Sequence, residues 1–172
     1  VNTKSLVTLS LLIGIGAVLH TVMPGLFLGM KPDMMLTMMF LGILLFPNVK
    51  SVLLAGLVTG MISGLTTSFP GGLIPNMIDK PVTAFVFYGL FILFAKYSKN
   101  AIGAAVLTAV GTIVSGVVFL GSALVIVGLP GPFAALFVTI VLPASVVNAV
   151  VMLVIYPIVQ SVLKRSSLAE QV

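Results

Sequence analysis

The chain has 172 residues, 60% of them hydrophobic and 6% charged, with a mean hydropathy of +1.33, whereas a soluble domain carries about a quarter charged residues. A water-soluble core of this length cannot hide so much apolar surface, so lipid must be part of the solvent and the chain reads as an all-α integral membrane protein. No cysteine and one histidine exclude disulfides, thiolate sites and histidine-based metal clusters. The net charge of +5 sits singly or in pairs between apolar runs and therefore reports topology rather than nucleic-acid binding.

A helix needs roughly 20 apolar residues to cross about 30 Å of hydrocarbon, and charged or Pro/Gly-rich breaks divide the chain into six such runs, read as one domain over residues 1–172. The first, Leu6–Met23, follows a basic residue but has no small-x-small cleavage site, so it is expected to remain as a helix rather than act as a signal peptide. On it Ser10, Gly14 and Ala17 share a face as a ridge of small residues, and His20 lies near the outer end. The broken apolar run PGLFLGM, 24–30, is expected to fold back as an outer loop. Lys31 and Asp33 then open a short second span, Asp33–Phe46, where a carboxylate suits the positive end of the helix dipole.

The third span, Ser51–Thr67, carries Gly56, Gly60 and Gly64 every four residues, a stripe that admits close approach of another helix. That helix belongs either to this chain or to a partner. Thr66 and Thr67 at its outer end either bond their own backbone or line a pocket. The stretch SFPGGLIPNMIDKP, 68–81, reads as a proline-stiffened outer loop holding Asn76, Asp79 and Lys80. A short fourth span, Val82–Phe94, carries Tyr88 as a packing residue. The fifth, Ile102–Val127, repeats at Val114-Ser115-Gly116 the fragment Ile62-Ser63-Gly64, which admits an internal duplication. In the sixth, Phe133–Leu163, Asn148 must be satisfied inside the bundle, as helix glue or as a deep ligand contact.

Six spans put both termini on one side. Lys4, Lys50, Lys96, Lys99, Lys164 and Arg165 all fall there, while the other side holds Lys31, Asp33, Asp79 and Lys80. The positive-inside rule makes both termini cytoplasmic.

The outer face thus spends its charge in two compact clusters, GMKPD at 29–33 and IPNMIDKP at 74–81. One reading is structural: salt bridges and N-caps that pin the loops. The preferred reading is recognition of a zwitterion above a cavity lined by Met, Phe and Leu, because small-molecule sites are mostly apolar with a few convergent polar groups. Lys31, Asp33, Asn76, Asp79 and Lys80 are the candidates, with Thr66, His20 and Asn148 as further contacts. A membrane enzyme is disfavoured, since His-Glu-x-x-His and Gly-x-Ser-x-Gly are both missing from the sequence. The sequence likewise has no Gly-x-x-x-x-Gly-Lys-Ser/Thr phosphate loop. A proton-coupled carrier is disfavoured because no acidic residue is expected deep in a span.

The motifs GMKPDMML at 29–36, FLGILLFP at 40–47, IPNMIDKPV at 74–82, GLPGPFAALF at 128–137 and IYPIVQ at 155–160 make the chain resemble the bacterial tryptophan transporter family TrpP. More broadly, a small six-helix protein with a small-residue ridge on its first helix is similar to the substrate-binding S components of energy-coupling factor (ECF) transporters. The resemblance implies an S-component-like bundle in the bacterial cell membrane that takes up L-tryptophan from outside, with no cofactor. It also implies docking through Ser10, Gly14 and Ala17 onto a transmembrane T component joined to two ATPases, although S components typically carry Ala-x-x-x-Ala where Ser10 and Gly14 stand. The alternatives are a solitary secondary carrier for tryptophan or another hydrophobic amino acid, and a non-transport structural membrane protein.

Overall fold

The computed structural model describes residues 3–24, 32–97 and 100–165, and among these it contains six helices and no strand. They are α1 (Thr3–Val22), α2 (Met34–Leu45), α3 (Val49–Leu65), α4 (Leu73–Leu93), α5 (Ala101–Ile126) and α6 (Phe133–Arg165). Four of them, α1, α4, α5 and α6, are long and apolar enough to cross a membrane. The other two, with 12 and 17 residues, reach only ~18 and ~26 Å at 1.5 Å per residue.

The short α2 is hydrophobic on every side, and a helix of that kind belongs in a core. All twelve of its residues are buried. Asp33 caps it by accepting the Leu36 N–H at 3.1 Å, and the chain leaves the helix at Phe46, ahead of Pro47, as expected for the residue before a proline. The other helices pack around this axis. Phe40 of α2 stacks on Phe87 of α4 with ring centroids 4.0 Å apart, and Gly111 of α5 leaves room for the pair, since a Cβ there would lie 2.7 Å from the Phe40 ring.

The glycine stripe of α3 is filled from within the chain. A Cβ at Gly56 would stand 2.9 Å from Pro81 Cα, one at Gly60 3.0 Å from the Asn76 carbonyl oxygen, and one at Gly64 2.9 Å from the Leu73 carbonyl oxygen. Thus α3 and α4 meet backbone to backbone over three turns. The echo on α5 does the same kind of work, because Gly116 receives Val141 of α6.

The stretch 68–81 differs from the loop expected of it. Helix α4 starts at Leu73, eight residues before Pro81, so Asn76, Asp79 and Lys80 are helical and buried. Pro75 falls in the first turn, where its missing N–H would have had no intrahelical partner. Pro81 interrupts the ladder inside the helix, which a membrane bundle tolerates when neighbouring helices cover the gap, and here the α3 stripe lies against it. The expectation that no acidic residue lies within a span is corrected by the same observation: Asp79 is the seventh residue of α4 and fully buried. The bounds of the other expected helices hold to within three residues at each end. In α6 the segment Phe137–Val141 is π-helical, with the Leu142 N–H donating to the Phe137 carbonyl five residues back. The wider turn falls immediately before Pro143, which has no N–H to give.

Replacing Gly56 with valine forces α3 off the Pro81 backbone. Overpacking of this kind costs about 1–3 kcal/mol, so Gly56→Val should lower the melting midpoint of the detergent-solubilised protein. Gly89→Val, at a position with nothing within 4 Å of a Cβ, should leave it within error of wild type.

Candidate functional site

Helical spacing places Asn76, Asp79, Lys80 and Thr83 on one face of α4, one turn after another, and all four are buried. The α3 stripe presses on the neighbouring face and turns these groups toward α1, α2 and α5. There Lys80 Nζ lies 2.7 Å from Asp33 Oδ2 and 2.6 Å from Asp79 Oδ2, bridging the cap of α2 and its own helix. Asp79 is enclosed further: the Thr83 hydroxyl donates to Oδ1 at 2.7 Å, and the Ser115 hydroxyl of α5 donates to Oδ2 at 2.7 Å. His20 Nδ1 of α1 is 3.5 Å from Asp33 Oδ1. Two carboxylates therefore share one ammonium, and the cluster carries one negative charge in excess when His20 is neutral.

These residues form one wall of a cavity of about 130 Å³, the order of volume that accepts a small aromatic ring. His20, Asp33, Asn76, Asp79 and Lys80 face it from α1, α2 and α4. The opposite wall, from α5 and α6, is mainly apolar: Gly116, Phe119, Leu120, Ile140, Val141 and Ala144, with Thr112, Ser115 and Asn148 interspersed. Phe69, stacked edge-on against Phe119 at 5.3 Å, contributes from the α3–α4 connection.

The structure thus brings together His20, Asp33, Asn76, Asp79, Lys80 and Asn148. It corrects how the charged groups are held: Asp79 and Lys80 are paired with each other on a helix rather than displayed on an outer loop. Thr66 stays apart, because it ends α3 with its hydroxyl donating to the Ile62 carbonyl at 2.8 Å, while Thr67 lines the cavity. Lys31 lies outside the described residues. On α1, Ser10 and Gly14 face outward, with nothing within 4 Å of a Cβ at Gly14, whereas Ala17 is half-buried against the core. Sequence reasoning missed Ser115, Thr83, Ser63 and Thr112. Thr83 stands one turn after Asp79, a signal that becomes readable only once α4 is known to begin before Pro75. Ser63 and Ser115 are the serines of the repeated Ser-Gly fragment, and both reach the cavity.

A bundle of apolar helices around a cavity with one charged and one apolar wall is the architecture of a multi-pass membrane protein that handles a small solute. The chain matches the model of the family described as "Tryptophan transporter TrpP" over residues 2–164 and belongs to that family. It is thus a transport protein of the bacterial cell membrane and not an enzyme. It is similar to the probable tryptophan transport protein of Bacillus subtilis (strain 168), with 62% identity over 98% of each chain. It is also similar to proteins of the same name from Clostridium perfringens (strain 13 / Type A), at 42% identity over 97% of each, and Clostridium acetobutylicum, at 44% over 90% of this chain and 91% of the relative. No solved structure matches.

Removing one member of a buried ion pair strands its partner at a cost of about 3–5 kcal/mol, while neutralising the whole group costs far less. Lys80→Met should therefore melt well below wild type, and the triple change Asp33→Asn, Asp79→Asn, Lys80→Met should recover most of the loss.

Proposed function

We propose that the protein takes up L-tryptophan across the bacterial cell membrane and binds it in the cavity between the charged α1–α2–α4 wall and the apolar α5–α6 wall. One observation carries this reading: a single cavity joins a cluster of opposite charges to an aromatic and aliphatic surface, the two halves of a hydrophobic amino acid. The names of the relatives support the substrate. Asp33, the more open of the two carboxylates with a side chain 21% exposed, meets the ligand ammonium. The ligand carboxylate lies toward the Lys80 ammonium and the His20 imidazole of the same wall. Asn76 and Asn148 complete the polar contacts, and Asp79 acts by holding Lys80 in position.

In this reading all six helices are spans of one domain, α2 shielded from lipid by the others, and both termini are cytoplasmic. The collection of Lys4, Lys50, Lys96, Lys99, Lys164 and Arg165 on the terminal side supports that orientation. The protein acts as the S component of an ECF-type transporter, docking to a T component and two ATPases along Ser10 and Gly14. The open, outward-facing position of these two residues on α1 supports a docking role. A second reading, a solitary carrier coupled to an ion, is favoured by Asp79, a carboxylate buried within a span, where coupling groups are placed.

The chain contains no tryptophan, so indole emission from a titration belongs to ligand. Adding L-tryptophan to the purified protein should give a saturable blue shift with a dissociation constant in the micromolar range or tighter, about −8 kcal/mol. Unshifted emission with folded protein would sink the proposal. Copurification with an ATPase module separates the two readings of the energy source.

A further inference from the structure

Asn148 of α6 is fully buried and lines the cavity. Its neighbour decides which way its amide points. The Thr112 hydroxyl donates its proton to the Thr108 carbonyl at 2.8 Å, so Thr112 Oγ1 can only accept from Asn148, and it does so from Nδ2 at 3.2 Å. An amide orientation is assigned from its hydrogen-bond network, and with the Thr112 proton on the Thr108 carbonyl this network turns Oδ1 away from Thr112. That oxygen has no hydrogen-bond partner among the described residues. Ser63 Oγ, which also lines the cavity, has none either, but a hydroxyl rotates and both donates and accepts. Asn148 Oδ1 is an acceptor alone, fixed in place.

Along the α6 side of the cavity the remaining lining groups are Ile140, Val141 and Ala144, and the charges all stand on the facing helices. We infer that Asn148 Oδ1 accepts the indole N–H of the substrate and is the residue that selects tryptophan over aromatic amino acids lacking a donor at that edge. This rests on the proposal that the cavity binds tryptophan. With the zwitterion held at the charged wall, the ring faces α5 and α6, and an aromatic body with one N–H on its edge fits a mainly apolar wall whose Asn148 carbonyl has no partner among the described residues. A ring seated against this wall without supplying a donor leaves the oxygen unpaired, which is costly in a buried site. Sites built to receive a donor reject isosteres lacking it more strongly than apolar pockets reject a change of size.

The test compares L-tryptophan with 3-(3-benzothienyl)-L-alanine, in which sulfur replaces the ring N–H at nearly constant shape, by calorimetric titration of the full chain in detergent. The expected result is roughly 10- to 100-fold weaker binding of the sulfur analogue. In Asn148→Leu, tryptophan should fall to the level of the analogue while the analogue is unchanged or improved, so that the difference between the ligands disappears. Equal affinities in the wild-type protein would overturn the inference while leaving tryptophan binding intact, and would assign Asn148 instead to the ligand ammonium or to helix packing. This wild-type comparison decides the matter even if the variant does not fold. If L-tryptophan itself fails to bind folded protein, the binding proposal falls, and the role of Asn148 falls with it.

Discussion

The ammonium of Lys80 is the one cation buried among the described residues of this bundle, and much of the site's geometry follows from how it is compensated. It is taken from water into a setting where an unpaired charge would be prohibitive. Asp33 and Asp79 answer it, one from the cap of α2 and one from the same turn of α4. Because Asp79 is also bound by Ser115 of α5, and Asp33 stands beside His20 of α1, neutralising one lysine fixes four helices relative to one another. The same carboxylate that closes the ion pair caps α2, so the central helix cannot shift along its axis without breaking the charge balance.

Small residues make that arrangement sterically available. Lys80 reaches inward because α4 lies backbone to backbone on α3, and Gly60 leaves room at the point where a Cβ would press on Lys80 itself, 3.3 Å from its Cβ. The cavity lies on the other side of this contact, between the charged wall and the apolar side chains of α5 and α6, where the wide turn of α6 at Phe137–Val141 presents Ile140 and Val141 to it. Packing thus sets the position of the charges, and the charges set one wall of the cavity.

Much of the fold was legible in the sequence. The apolar runs gave the six helices, and Asp33 was legible at the start of the short second one, where a carboxylate suits the helix dipole. The second Asp/Lys cluster was misread for a definite reason. Pro75 and Pro81 bracket it and argue for a loop, whereas the polar residues at 76, 79, 80 and 83 repeat with helical period. Period and punctuation conflicted, and the period prevailed because a proline in the first turn sacrifices no bond and the second is covered by a glycine-lined neighbour. Gly56, Gly60 and Gly64 signalled close approach, but not that α4 would supply the partner. Pairing of Lys80 with Asp33 across 47 positions, and of Asp79 with Ser115, leaves no local trace in one sequence. The likeness to tryptophan transporters was carried by motifs such as IPNMIDKP, whose buried side chains the structure draws into the cavity.

The central claim is that tryptophan occupies this cavity, and the absence of cysteine from the chain allows a direct measurement of it. A single cysteine in place of Ala144, on the apolar wall, can be alkylated with a small thiol reagent in the presence and absence of L-tryptophan, with a cysteine in place of Gly14 on the outward face of α1 as control. The account predicts that saturating tryptophan slows reaction at position 144 and leaves position 14 unchanged. An unaltered rate at position 144, in protein that binds tryptophan saturably, would place the substrate elsewhere and contradict the account.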